Sequence, residues 1–142
     1  MDVFSKEKRS KIMSAVRSNN TGLEKSFFEW LMEATEGRAI IHPKNIVGSP
    51  DAILEVPRIA FFLDSCFWHG CKLHYRAPKS NRGYWSLKIK RNRDRDRRVK
   101  ICLKKEGWRV VRIWEHSWKK PGTARWWQTR VINFISLTVL SP

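Results

Sequence analysis

The eleven residues from Asp64 to His74 constrain the fold more than any other segment of the chain. They read Asp-Ser-Cys-Phe-Trp-His-Gly-Cys-Lys-Leu-His, so two thiols and two imidazoles fall within one short stretch. Soft sulfur and imidazole ligands that converge without a long loop are typical of tetrahedral zinc sites. We therefore predict that Cys66, Cys71 and His74 bind a structural zinc ion.

The fourth zinc ligand has to come from another part of the chain. His116, which follows a predicted strand, is the first choice, and His42 is the alternative. Cys102 lies between Ile101 and Leu103, which indicates a buried apolar side chain rather than a ligand. Three cysteines, two of them at metal-ligand spacing, predict a reducing compartment without disulfides.

Aromatic side chains interrupt this ligand-rich loop. Phe67 and Trp68 cannot both be buried in so short a segment, and an exposed aromatic pair on a basic chain is typical of insertion between nucleic-acid bases. His69 follows them directly. We expect its imidazole to act as a base near neutral pH, although it could instead be a zinc ligand.

The charge balance indicates which partners the chain binds. It carries 29 Lys and Arg against 13 Asp and Glu, a formal net charge of +16. The excess is greatest from Lys72 to Lys105, with fourteen cations against two acids, so contact with nucleic-acid phosphates is expected. No apolar run approaches the roughly 20 residues of a membrane span, and the first residues lack a signal-peptide core. We expect a cytoplasmic, nucleoid-associated monomer.

The pattern of apolar residues predicts one α/β domain over residues 1–142, with a small mixed sheet flanked by helices. Residues 1–18 form a basic N-terminal arm that contains a helix over residues 5–17, and residues 135–142 are a tail of uncertain structure. The remaining predicted elements are helices near residues 21–37, 83–106 and 124–134, and strands at 39–42, 52–56, 59–63 and 108–114, the last of which alternates like a half-buried strand. The apolar contacts expected for the long helix are Leu87, Ile89, Val99, Cys102 and Leu103.

Two carboxylates frame the most apolar predicted strand, Ile59 to Leu63. Asp51 stands at the start of the preceding strand and Asp64 at the end of this one, so the two can lie side by side. Carboxylates on adjacent strands are typical of Mg²⁺-dependent nucleases. The alternative is that Asp51 only stabilises a turn after Pro50 and that Asp64 caps the metal loop. Glu24, in a predicted capping box with Thr21, could reach the same site.

The chain resembles the very-short-patch repair (Vsr) endonucleases of the restriction-endonuclease-like superfamily, here as a variant of the PD-(D/E)xK type. The resemblance covers roughly residues 6–118. Its main motifs are Thr21-Gly22-Leu23-Glu24, Gly48-Ser49-Pro50-Asp51, Cys66-Phe67-Trp68-His69-Gly70-Cys71, Tyr84-Trp85, Arg91-Asn92-Arg93 and Ile113-Trp114-Glu115-His116. Ser49 and Asp64 depart from it, since many members carry Arg and His there.

The resemblance implies an enzyme that nicks DNA beside a T:G mismatch left by deamination of 5-methylcytosine. It implies Mg²⁺ at Asp51 and the Leu63 carbonyl, with Asp64 as a possible second ligand and a water handled by His69 near Glu24. It also implies intercalation by Met13, Phe67, Trp68 and Trp85, although core packing is an equal alternative for Trp85.

On the long helix we expect Lys88, Arg91 and Asn92 to contact the major groove. Functional association with a cytosine-5 methyltransferase and repair machinery is a further expectation. Two alternatives stay open: a zinc-stabilised DNA-binding module without catalysis, and a related nuclease with a different DNA substrate.

Overall fold

The computed structural model describes residues 22–73, 76 and 78–139, with side chains described as far as residue 136. The predicted helix over residues 5–17, the cap at Thr21, the wedge residue Met13 and the zinc ligand His74 lie outside the described residues.

Four strands and four helices make up the described part of the chain. The helices are α1 (residues 22–34), α2 (Arg82–Lys105), α3 (Glu115–Lys119) and α4 (Pro121–Val139), and the strands are β1 (Ile40–Ile41), β2 (Ala52–Leu54), β3 (Ile59–Asp64) and β4 (Arg109–Trp114). Each predicted strand is present within a few residues of its expected bounds. The short helix α3 was not predicted.

The sheet is mixed, with the strand order β1-β2-β3-β4. β1, β2 and β3 pair antiparallel, and β4 pairs parallel with β3 after the crossover through α2. β3 therefore has a neighbour on each side, and five of its six residues are buried. The apolar run that predicted a central strand is confirmed, because only a strand covered on both faces tolerates such a run.

Alternate residues of β3 serve two different cores. Ile59 and Phe61 pack against Phe27 of α1 and against α4, while Ala60 and Phe62 pack with residues of α2. Helices thus cover both faces of the sheet, as predicted for a small α/β domain. The larger core lies on the α1 and α4 side.

Two predicted apolar contacts of α2 are wrong. Cys102 is exposed, and Leu87 has 49% of its surface exposed. Helix α2 instead buries Trp85, Ile89, Val99 and Leu103. These four residues share one face of the helix, whereas Leu87 falls on the opposite face and Cys102 to one side of the buried face.

The three cysteines are free thiols. No helix in the described part of the chain is long and apolar enough to cross a bilayer.

Candidate active site and metal-binding loop

Asp51 and Asp64 meet at one end of the sheet. Asp51 directly precedes β2 and Asp64 ends β3, and the antiparallel pairing of these strands brings the two positions together. The Leu63 amide donates a hydrogen bond to Asp51 Oδ2 at 2.7 Å. Both carboxylates line a cleft of about 490 Å³ that also contains His69 and Asp96. The predicted side-by-side arrangement is confirmed.

Asp51 is an acid of this cleft whose pKa is raised by burial. Burial raises its pKa from 3.8 to about 6, the Leu63 amide opposes this, and the charges of Glu24 and Asp64 add to it. Glu24 is close enough for its charge to act on Asp51, but it does not line the cleft, and its catalytic role stays a prediction. Asp51, Asp64 and Asp96 line this cleft and form an oxygen-rich site suited to a hard divalent cation.

His69 is held between two carboxylates. Its Nδ1 lies 2.5 Å from Asp96 Oδ2, and its Nε2 lies 3.7 Å from Asp64 Oδ1. Burial lowers the pKa of His69, but the hydrogen bond to Asp96 and the charges of Asp64 and Asp96 outweigh it, so the pKa lies above 6.5. The imidazole thus faces the cleft rather than the cysteine cluster.

Arg112 of β4 links the same two carboxylates. Its Nη1 donates to Asp64 Oδ1 and Oδ2 at 3.0 and 3.1 Å, and its Nη2 lies 3.6 Å from Asp96 Oδ1. The guanidinium also stacks over the Phe62 ring at 4.1 Å. Burial raises the pKa of Asp64, and the charges of His69 and Arg112 oppose that rise. His69, Asp96, Arg112 and Asp64 form a closed ring of charged groups.

The loop that carries His69 is fixed against α2. Asn92 donates from its amide to the Trp68 carbonyl at 2.9 Å, and the Arg93 guanidinium donates to the Gly70 carbonyl. Gly70 has φ +62°, and a β-carbon there would lie 2.5 Å from Ile89. Only glycine fits so close to the helix in this conformation. Asn92, expected to contact DNA, therefore uses one donor to hold this loop.

Cys66, Cys71 and His116 converge into one cluster, with their ligand atoms within 4.8 Å of one another. His116 Nδ1 lies 3.2 Å from Cys66 Sγ and 3.6 Å from Cys71 Sγ. Tetrahedral zinc, with bonds of about 2.3 Å to sulfur and 2.0 Å to nitrogen, sets sulfur and nitrogen ligands about 3.5 Å apart. Three of the four predicted ligands thus have suitable geometry.

Two alternatives for the zinc ligands do not fit. His69 and His42 are not part of the cluster in the described residues. His42 lies elsewhere, with its ring 5.3 Å from the Phe28 ring and its amide bonded to the Asp51 carbonyl. Burial raises the pKa of the Cys66 thiol to about 12, so the sulfur keeps its proton unless a cation displaces it.

Three aromatic side chains of the loop and α2 form a cluster of edge-to-face and tilted contacts. Phe67 and Trp68 are half-buried, and their ring centroids are 5.0 Å apart. Trp85 is fully buried, 5.5 Å from Phe67 and 6.1 Å from Trp68. The complete burial of Trp85 agrees with the alternative that its ring packs in the core. Intercalation by Trp85 requires that its ring leave this position, and it stays a prediction.

The remaining predicted DNA contacts lie on α2. Lys88 Nζ lies 5.8 Å from the Trp68 ring, and Arg91 is exposed one turn further along the helix. Lys88 thus lies beside the aromatic residues, and the contact of both cations with DNA stays a prediction.

Comparison with known proteins identifies the family. A family model described as "DNA mismatch endonuclease Vsr" matches residues 1–75. The chain is 40% identical over 116 residues to "Type II nicking enzyme V.XorIIP" of Xanthomonas oryzae pv. oryzae, covering 80% of this chain and 84% of that protein. It belongs to the Vsr family. It is 35% identical to "DNA mismatch endonuclease Vsr" of Escherichia coli K12, over 80% of this chain and 73% of that one.

A third relative matches nearly end to end. "Type II nicking enzyme V.NmeAIP" of Neisseria meningitidis serogroup A is 32% identical over 136 residues, covering 94% of this chain and 96% of that protein. The chain is accordingly an endonuclease of the Vsr family, and the fold agrees with that assignment.

Two site residues of this Vsr-family endonuclease were not predicted from the sequence. Asp96 looked like one of two stray acids in a basic helix, and Arg112 looked like the exposed position of an alternating strand. One signal could have found Asp96: Trp85, Ile89, Asn92, Asp96 and Val99 repeat at helical spacing, so Asp96 falls on the buried face.

Proposed function

We propose that this endonuclease nicks one strand of duplex DNA beside a T:G mismatch that arises from deamination of 5-methylcytosine, in a Mg²⁺-dependent reaction. The observation that carries the proposal is the juxtaposition of a carboxylate cleft containing Asp51 and His69 with the half-buried pair Phe67 and Trp68. A wedge of this kind favours mispaired steps, because unstacking costs a few kcal/mol and least at a mismatch.

The residues present fit a magnesium ion. Asp51 brings a carboxylate whose ionised form is disfavoured by burial, so a cation would stabilise it, and the neighbouring Leu63 carbonyl is the expected second ligand. Asp64 is the further candidate, although Arg112 already contacts both of its oxygens. When bound, Mg²⁺ would polarise the scissile phosphate and lower the pKa of the attacking water.

The chain's own residues would then handle the proton. Asp96 accepts the hydrogen bond of His69 Nδ1, which leaves Nε2 as the nitrogen that takes the proton from water. Arg112 would keep Asp96 and Asp64 aligned on either side of the imidazole. Glu24 contributes negative charge at the same place. Zinc at Cys66, Cys71, His116 and His74 would hold the loop that carries Phe67, Trp68 and His69.

The test is cleavage of end-labelled duplexes with and without a T:G mismatch, in Mg²⁺ and in EDTA. We expect a single-strand nick beside the mispaired T in Mg²⁺ only. Asp51→Ala should abolish it while DNA binding and zinc content are retained. Nicking that ignores the mismatch would support the alternative of a nuclease with another DNA substrate, and nicking retained by Asp51→Ala would contradict the assigned site.

Association with a cytosine-5 methyltransferase follows from this substrate, because that enzyme produces the base whose deamination gives the mismatch. A cytoplasmic monomer that meets its substrate in the nucleoid remains our prediction.

A further inference from the structure

A second cleft opens at the opposite end of the parallel strands from Asp51 and Asp64. It has a volume of about 820 Å³ and lies where Ile59 of β3 pairs with Arg109 of β4, at the start of both strands. Asp64 pairs with Trp114 at the other end. Five residues at about 3.3 Å each separate the two ends, so Ile59 and Arg109 lie about 16 Å from Asp64 along the strands, and Arg112 borders both clefts.

This second cleft is strongly basic. Six of its fourteen lining residues are Lys or Arg, and none is acidic. Arg112 points to Asp64, which leaves five cations, and we call these five the distal basic groove: Arg58, Lys100, Lys104, Arg109 and Arg130. All five are exposed. Among the described residues, no carboxylate lies within ion-pairing distance of any of them.

Aromatic rings hold the guanidinium groups of this groove in place. Arg58 lies over the Trp108 ring at 4.4 Å, and Arg109 and Arg130 lie over the Phe134 ring at 4.2 and 5.1 Å. Stacking restrains the guanidiniums of Arg109 and Arg130 while their N–H edges stay available to an anion. Arg58 Nη1 already donates to the Glu106 carbonyl at 2.6 Å, so that arginine has fewer donors left. Clustered like charges without counter-charges disfavour the compact state, so their arrangement is better explained by an anionic ligand than by stability.

Helix α2 connects this groove with the catalytic cleft. Arg93 and Arg97 line the space beside His69, and Lys100 and Lys104 line the distal basic groove. The four positions are spaced by four, three and four residues, so they share one helix face. They span about 16 Å at 1.5 Å per residue. A row of that length fits an extended polyanion rather than a single phosphate.

We propose that the distal basic groove binds the phosphate backbone of duplex DNA flanking the cleavage site. At about 3.4 Å per base pair, the distance of about 16 Å from Arg109 to Asp64 corresponds to about five base pairs. The inference rests on the proposed function only for the position of the nick. Binding itself needs no mismatch, because phosphate contacts carry no sequence information.

The test compares two charge-matched double variants. Arg109→Ala/Arg130→Ala removes both guanidiniums from Phe134, and Lys105→Ala/Arg125→Ala removes two exposed cations that do not line the groove. Affinity for a fully paired duplex with long flanks is measured in EDTA by fluorescence anisotropy over a range of salt concentrations. Thermal unfolding checks that both variants fold.

We expect the slope of log K against log salt to fall by about two in the groove variant and to stay unchanged in the control, because each phosphate contact contributes about 0.9. Trimming the flank below about five base pairs should weaken wild-type binding more than that of the groove variant, which keeps only three of the five groove cations. Equal slopes in the two variants would overturn the proposal. The proposal would also be overturned if wild-type affinity did not depend on flank length and two duplexes bound per protein, because the groove would then hold a separate duplex.

This measurement is independent of cleavage. If the wild type bound DNA with the expected slope but never nicked a T:G duplex, the proposed substrate would be wrong and the groove assignment would stand. If nicking were normal and the slopes were equal, only the groove assignment would fail. At saturating DNA the groove variant should nick at the wild-type rate, since none of its substitutions touches the catalytic cleft.

Discussion

Arg112 Nη1 lies 3.0 and 3.1 Å from the two carboxylate oxygens of Asp64, and its Nη2 reaches towards Asp96 on α2. One guanidinium on β4 thus joins the end of β3 to the long helix at the point where His69 enters the cleft. Both residues of the pair are largely buried, with side-chain exposures of 21% and 7%.

Removing Arg112 should destabilise the protein because it leaves Asp64 and Asp96 buried without their cation. Breaking a buried pair from one side costs about 3–5 kcal/mol, and partial exposure of Arg112 reduces this to about 2–4. We expect this loss for Arg112→Met in urea unfolding. Arg112→Met/Asp64→Asn should recover most of it, and Arg97→Met, at an exposed position, should change stability by under about 0.5 kcal/mol. A loss below about 1 kcal/mol for the single variant would contradict the structural role of the pair.

Asp51→Asn should abolish nicking and, at neutral pH, raise the free energy of unfolding. The rise in the pKa of Asp51 from 3.8 to about 6 corresponds to at most about 3 kcal/mol. Asp51 binds its proton more tightly in the folded protein than in the unfolded chain. The free energy of unfolding of the wild type therefore falls as pH rises from about 4 to about 6, and above about pH 6 it stays lower by the full amount. The variant should therefore lose nicking but gain about 1–3 kcal/mol at pH 7–8 in EDTA and nothing at pH 3–4.

Urea unfolding at several pH values checks this prediction. Glu55→Gln, which neutralises an exposed acid, is the control and should leave stability nearly unchanged. A variant that is no more stable than wild type at pH 8 would mean that Asp51 is well compensated in the folded state.

The central strand and the metal loop could be predicted because each has a local signature. β3 is an unbroken apolar run between two turns, and the loop places two cysteines and two histidines within a few residues. Asp51 and Asp64 flank that strand, so their meeting followed from antiparallel pairing alone.

Arg112 and Asp96 could not be found in the same way, because their roles depend on contacts between distant elements. In the sequence pattern of β4, Arg112 occupies a solvent-facing position. Its role depends on Asp64 and Asp96, which β3 and α2 place beside it only in the folded protein. The distal basic groove has the same origin, since it collects cations from a turn, two helices and a strand. Cys102 was assigned to the core on the apolarity of its neighbours, but the helical repeat turns it to solvent.

Asp96→Asn should lower the maximal nicking rate and shift its pH dependence. The hydrogen bond and charge of Asp96 help to raise the pKa of His69, so the wild-type rate should increase as pH rises through a value above 6.5, where the imidazole loses its proton. Without the carboxylate that pKa falls, so the acid limb should move to lower pH while the rate at its plateau drops about 10²-fold.

Single-turnover nicking between pH 5.5 and 9 measures both effects. Asp94→Asn on the same helix is the matched control, because Asp94 contacts only Arg97, at 4.0 Å, among the described residues. An unshifted acid limb in Asp96→Asn would remove His69 from the role of base.

Cys66→Ser should abolish zinc binding, whereas Cys102→Ser should not. Cys66 is buried with its sulfur 3.2 Å from His116 Nδ1, while Cys102 is exposed on α2 and far from the cluster in sequence. Zinc content measured by elemental analysis should fall from one per chain to none in the first variant only. Since the cluster ties the loop of Phe67 and His69 to α3, Cys66→Ser should also be less stable and lose nicking. One zinc ion retained by Cys66→Ser would show that the metal is bound elsewhere or by the other ligands alone.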